Sequence, residues 1–446
     1  MLLIRNATII NEGISFKGSV LIKNDKIETI YKEDVPDFIS NRAEIIEADN
    51  LYLIPGVIDD QVHFREPGLT HKGTIQSESR AAIAGGVTSY MDMPNTNPQT
   101  ITVDAWKRKN EYAHDKSYAN YAFYLGATNH NLAELKRANS NHLCGIKVFM
   151  GSSTGDMLVD DKKTLQAIFA EIDMLIATHC EKESIISDNI EKYRKKFVDN
   201  DIPLKYHPLI RSAEACYQSS GQAIELADKY GSRLHVLHLS TAKEMKHLDV
   251  KSLMDKKITA EVCVHHLWFT DKDYKRLGTH IKWNPAVKSE KDRAALRKAL
   301  LKGKLDVVAT DHAPHTLAEK EGGALTAASG GPLVQHSLQM MMELVSKNVI
   351  SKELMVEKMC HAPATVFGIK NRGFIRKGYF ADLVLVNPNN CYTISSDNIL
   401  YQCGWSPFEG ETVSSTIQTT ILNGRVVFHN GEIVGEPYGQ VLEFER

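Results

Sequence analysis

The chain has 446 residues, 43% of them hydrophobic and 24% charged, with a formal net charge of −2, the make-up of an ordinary globular protein with ample core. So balanced a charge gives no electrostatic footprint for nucleic acid, and no apolar run reaches the ~20 residues of a bilayer span, so neither nucleic acid nor membrane is an expected partner. Seven cysteines without CxxC spacing are expected to be reduced in a cytoplasmic protein, and Met1 to Ile10 show no basic leader or cleavage site of a signal peptide.

Residues 1 to 52 hold short alternating runs such as Ser19 to Ile30, with Asn24-Asp25 as a turn. The pattern then changes to apolar β-type runs alternating with amphipathic helical stretches. Eight such runs follow in order: Ile54 to His63, Thr88 to Met93, Tyr118 to Ala127, Gly145 to Met150, Met174 to His179, Leu234 to His238, Ile258 to His266 and Leu305 to Asp311. Helices are predicted between them, for example over Lys162 to Glu171 and over Ala213 to Tyr230, the latter stopped by Gly231. Eight strand–helix units predict an α/β fold, a (β/α)8 TIM barrel over 53–373 with its active site at the C-terminal strand ends. From about 374 the alternating pattern returns, in Phe380 to Val386 and Thr419 to Phe428. Both termini, 1–52 and 374–446, are therefore expected to form one small β-sandwich.

The ends of the eight runs carry the chemistry. His63 closes the first, Asn95 follows the second, Lys147 lies inside the fourth, His179 closes the fifth, His238 the sixth, His265 and His266 the seventh, and Asp311 the eighth. A single histidine at a strand end is ordinarily hydrogen-bonded structure. In a barrel, however, these ends meet at one mouth, and imidazole with carboxylate is the ligand set of a hydrolytic Zn²⁺ site. Asp311-His312-Ala313-Pro314-His315 puts a carboxylate and two imidazoles at one strand end. Lys147 sits among apolar neighbours, where an ammonium beside cations is disfavoured. Carbamylation by CO2 would turn it into an anionic carboxylate able to bridge two metal ions; the alternative is a lysine snorkelling to the barrel rim. Arg65 offers a planar fork suited to a carboxylate. Thr316 to Pro332, with four glycines, reads as a lid or as a merely mobile loop.

In order along the chain, Pro55-Gly56-Val57-Ile58-Asp59, His63-Phe64-Arg65-Glu66-Pro67-Gly68, Met93-Pro94-Asn95-Thr96-Asn97-Pro98, His238-Leu239-Ser240-Thr241, His265-His266-Leu267, Asn284-Pro285 and Thr310 to His315 resemble the amidohydrolase superfamily and, within it, the dihydroorotases. The resemblance implies interconversion of (S)-dihydroorotate and N-carbamoyl-L-aspartate in pyrimidine synthesis, with one or two Zn²⁺ ions per chain and a homodimer. It also implies roles by position. His63 would bind the first metal, Lys147 would bridge as its carbamate, and His179 and His238 would bind the second metal. Asp311 would be ligand and catalytic proton shuttle. Arg65 and Asn95 would hold the substrate carboxylate, and Asn284 and His315 would help to fix the ring. One position departs from the family pattern: where the first strand usually has His-x-His, this chain has Gln61-Val62-His63, and a glutamine oxygen is a poorer Zn²⁺ ligand. Two other readings are a hydantoinase, dihydropyrimidinase or allantoinase, and a degenerate dihydroorotase serving as a scaffold for aspartate transcarbamoylase.

Overall fold

Eight parallel strands pair in chain order in the computed structural model, which describes residues 1–138, 141–151, 155–197 and 202–445. They are Val57–Val62, Val87–Asp92, Asn120–Gly126, Leu143–Phe149, Ile176–His179, Leu234–Val236, Ile258–Cys263 and Val307–Ala309. The seam is closed by a parallel bridge between Val62 and His312 and by the His63 amide, which donates to the His312 carbonyl at 2.7 Å. This is the (β/α)8 barrel that the alternation predicts. Helices between the strands are delimited by their own sequence: Thr74, Thr102, Ser212 and Ser289 accept backbone N–H bonds as N-caps, and Gly231, at φ 71°, ends Ala213–Tyr230.

A second, nine-stranded sheet draws on both ends of the chain. Leu2–Asn11, Ile14–Lys23, Lys26–Tyr31, Glu44–Glu47 and Tyr52–Pro55 come from the beginning, and Leu383–Asn387, Thr416–Leu422, Arg425–His429 and Glu432–Ile433 from the end. The halves join where Tyr52–Pro55 pairs antiparallel with Leu383–Asn387. Asn24, at φ 57°, turns the second hairpin as its sequence predicts.

Two of the eight predicted runs are divided. Ile54 to His63 is two strands, one in each sheet, separated at Gly56, where a Cβ would lie 2.0 Å from Thr88 Oγ1; apolar periodicity cannot register a change of sheet. The seventh run ends at Cys263, and His265 and His266 belong to a short helix, Val264–Trp268. No helix among the described residues is long and apolar enough to cross a membrane.

Beneath the mouth the barrel interior is partly charged. His235 Nε2 lies 3.1 Å from Asp60 Oδ2 and 3.7 Å from Glu261 Oε2, and its Nδ1 is 2.8 Å from Thr259 Oγ1. Burial alone would lower the His235 pKa, but the two carboxylates outweigh it and hold the imidazolium up at about 9. Because this lies above the ordinary value of 6.5, the contribution is complete below pH 6.5 and lost as pH rises through about 9. We expect urea denaturation to show stability declining over that window. His235→Gln is expected to flatten the slope and to cost about 3–5 kcal/mol near neutrality, since it strands two buried carboxylates. An unchanged slope would mean that His235 is neutral.

Candidate active site

The strand ends bend sharply where the candidate residues sit. Arg65, His238 and Asp311 have φ of 71°, 40° and 50°, in the left-handed region that side chains other than glycine occupy at a cost of about 1–3 kcal/mol each. Such turns aim side chains from separate strands into one mouth. Gln61, His63, Arg65, Asn95, Lys147, His179, His238, Asn284, Asp311 and His315 all line one cavity of about 740 Å³.

Two histidines in this cavity turn a ring lone pair towards a neighbouring side chain. His63 Nδ1 faces Asn95 Oδ1 at 2.7 Å, an oxygen that can only accept, so the ring proton is on Nδ1 and Nε2 presents a lone pair. That Nε2 lies 3.1 Å from Asp311 Oδ1. His179 repeats the pattern: Nε2 donates to Glu181 Oε2 at 3.1 Å, and the Nδ1 lone pair faces His238 Nε2 at 2.9 Å. Burial lowers the pKa of all three imidazoles, most for His63 and His238, so the rings are neutral and their lone pairs are available to a metal. A ring whose far nitrogen donates to a fixed oxygen is the usual presentation of a metal-ligating histidine. The donor set therefore fits divalent metal.

Lys147 is 1% exposed. Burial brings its amine down to about 8, with Asp311 and Glu261 acting in the other direction. Burial likewise pushes Asp311 up to about 7, against the pull of Lys147, His179 and Arg65. Gln61 does not turn its oxygen to this group: its Nε2 donates to Asp311 Oδ1 at 3.1 Å, and its Oε1 has no protein partner.

Arg65 forms part of the cavity wall. Its Nε donates to the Pro314 carbonyl at 3.0 Å and one terminal nitrogen approaches His315 Nε2 at 3.1 Å. Only 7% of the residue is exposed, and no carboxylate among the described residues forms a salt bridge with it. Burial brings the guanidinium down to about 10, still cationic at neutral pH. His315, also facing Lys72 Nζ at 3.2 Å and the Ser329 carbonyl at 3.2 Å, is taken down to about 2 by burial together with Arg65 and Lys72; its ring is neutral.

Several contributors escape the sequence. Glu181, which fixes the His179 tautomer, is itself held by Arg211 at 2.5 Å. Burial would raise its pKa, but Arg211 and His179 outweigh burial and bring it down to about 2. Its signal was present as a carboxylate two residues beyond a strand-end histidine. Lys72, to which the sequence pattern assigns no role, lines the cavity and pairs with Glu319 at 2.8 Å. Conversely, His312 is structural: its Nε2 contacts Glu78 at 2.9 Å and its Nδ1 accepts the Leu333 and Val334 amides. In the 316–332 segment, Lys320 donates to the carbonyls of Lys282, Ala328 and Gly330 at 3.3, 2.8 and 2.6 Å. Ala328, Ser329 and Gly330 thereby form a fixed part of the cavity wall.

Barrel, mouth and donor set together define a family of hydrolases, and residues 52–427 match it: the chain belongs to the amidohydrolase family. It is a cyclic amide hydrolase. The chain is similar to the dihydroorotase of Halobacterium salinarum, with 35% identity over 378 residues that cover 84% of this chain and 86% of that protein. It is also similar to the dihydroorotase of Methanosarcina acetivorans, with 32% identity over 99% of this chain and 95% of that one. Among solved structures, the L-hydantoinase (dihydropyrimidinase) of Arthrobacter aurescens superposes with a TM-score of 0.93 at 26% identity, covering 99% of each chain.

Proposed function

We propose that this chain is a dihydroorotase, hydrolysing (S)-dihydroorotate reversibly to N-carbamoyl-L-aspartate in pyrimidine synthesis. The observation that carries the reading is Arg65, a buried cation in the cavity wall without a carboxylate of its own. A neutral ring would leave it unpaired, whereas the ring carboxylate of dihydroorotate accepts its fork. The Asn95 amide nitrogen, on the far side of the group bonded to His63, is free to join it, and Asn284 and His315 border the same space.

His63 and Asp311 on one side, and His179 and His238 on the other, would hold one or two Zn²⁺ ions, with Lys147 between them as a carbamate. The neutral amine that burial favours reacts with CO2, forming an N–C bond and releasing one proton. When bound, the metal supplies Lewis acidity that activates water and polarises the scissile carbonyl. Asp311 takes the proton of the attacking water and delivers it to the departing ring nitrogen, acting as general base and then general acid. Gln61, whose amide holds Asp311 Oδ1, orients this carboxylate rather than binding metal. All seven cysteines are unpaired, which supports a cytoplasmic setting.

The structural likeness to a hydantoinase gives the second reading its specific support. A panel of dihydroorotate, dihydrouracil, hydantoin and allantoin, assayed with zinc and bicarbonate, separates the two. Preference for dihydroorotate by about 10⁴-fold is expected, the scale on which a site built for a polar group rejects its absence. Dihydrouracil turned over in preference would make the chain a dihydropyrimidinase, and inertness towards all four despite bound metal would favour the scaffold reading.

A further inference from the structure

Cys263, His265 and His266 line no part of the active-site cavity, and no step proposed above uses them. Strand Ile258–Cys263 ends on the thiol, and the two imidazoles sit on the helix that begins at Val264. All three are buried, at 0%, 0% and 3% exposure. One donor atom from each, Sγ and two ring nitrogens, lies within 4.8 Å of the others. A tetrahedral ion with bonds of ~2.3 Å to sulfur and ~2.0 Å to nitrogen has edges of roughly 3.3–3.5 Å, reached if the thiol and the His266 ring turn inward on the stacked His265.

The hydrogen bonding around the rings is incomplete. His266 Nε2 donates to the Pro285 carbonyl at 3.1 Å, which leaves the Nδ1 lone pair outward and without a partner; this is how a ligating imidazole is normally presented. Neither ring nitrogen of His265 makes a hydrogen bond, although the Thr310 backbone is near enough to act on the ring. The ring is fixed instead between Trp283, stacked at 4.4 Å, and His266 at 4.0 Å. Buried polar groups in native proteins are ordinarily paired, and here three ring nitrogens are not. The Asp60, His235 and Glu261 group differs, because its imidazolium already offsets the carboxylate charge; its Glu261 Oε1 accepts from the Cys263 thiol at 3.4 Å, and so stands ready for the proton that thiol would lose.

We propose that Cys263, His265 and His266 form a separate site for one borderline-soft divalent ion, Zn²⁺ by preference, held through one thiolate and two imidazole nitrogens. Binding forms one S–metal and two N–metal bonds and releases the thiol proton to Glu261; water takes the fourth position. The site is structural: it ties the end of the seventh barrel strand to the following helix and backs Trp283, whose indole lines the cavity and donates to the Asp311 carbonyl at 3.4 Å.

Cobalt tests this directly, because the donors assigned above to the active-site metals include no sulfur. Apo-protein loaded with Co²⁺ is expected to show a near-ultraviolet thiolate-to-cobalt charge-transfer band, with one equivalent of metal more than Cys263→Ser, which loses the band. His266→Ala, which keeps the thiol, is expected to lose or shift it. X-ray absorption of the zinc-loaded wild type, which requires no variant to fold, should show a sulfur neighbour at about 2.3 Å. A folded, cobalt-loaded protein without the band, or a band that survives Cys263→Ser, would overturn the proposal. The readout is spectroscopic, so failure to hydrolyse dihydroorotate leaves it intact.

Discussion

Asp311→Asn is expected to lower kcat for dihydroorotate hydrolysis by about 10³-fold or more, within the range of general acid–base catalysis and with loss of a charged ligand adding to it. The substitution keeps shape and the capacity to bond with Gln61, so packing changes little. What disappears is the acceptor of the water proton and the donor to the leaving nitrogen. Metal content measured on the same samples separates ion loss from proton-transfer loss. The pH profile gives an independent reading. As a base Asp311 works ionised, so wild-type kcat/KM should climb with pH along an acidic limb, which Asp311→Asn abolishes. Burial puts the carboxyl at about 7, and bound cations draw it down, so the limb falls at or below that pH. A variant within tenfold of wild type, with the limb intact, would assign the proton transfers elsewhere.

Arg65→Met is expected to cost about 10²- to 10⁴-fold in kcat/KM for dihydroorotate and little or nothing for dihydrouracil. Two charge-assisted hydrogen bonds at about 1.5–3 kcal/mol each set the size of the effect. Methionine fills similar volume without charge, and Arg65→Lys, which keeps charge but loses the fork, should fall between. The contrast between substrates is the informative quantity. Arg65 also holds the Pro314 carbonyl, and a merely structural role would slow both substrates equally.

Much of the barrel was legible because parallel strands are buried on both faces, so each reads as an apolar run ended by polar residues. The same property hid the division of Ile54 to His63 between two sheets, since both of its strands are buried and only Gly56 marks the crossing. Likewise Cys263 and His266 are both buried, and nothing in the periodicity announces the helix beginning at Val264. The candidate site was legible where residue type and strand-end position coincide, as at His63, His179, His238 and Asp311. His312 shares that position but points away from the cavity, and a sequence does not say which of two adjacent imidazoles turns inward. Asn95 meets His63 from 32 residues away and Lys72 meets His315 from 243; contacts between loops of different strands leave no periodic trace.

The barrel seam has a bearing on how the molecule comes into being. Gln61 and His63 lie on its first edge and Asp311 on its last, 250 and 248 residues apart, and the bridge from Val62 to His312 brings the edges together. During synthesis, a nascent chain stopped before residue 307 would carry His63, Lys147, His179 and His238 but neither its proton carrier nor the closing strand. Catalytic competence thus arrives late, with the closing strand, and a fragment from each side of a cut should be inert alone and regain activity only by reassociating across that seam.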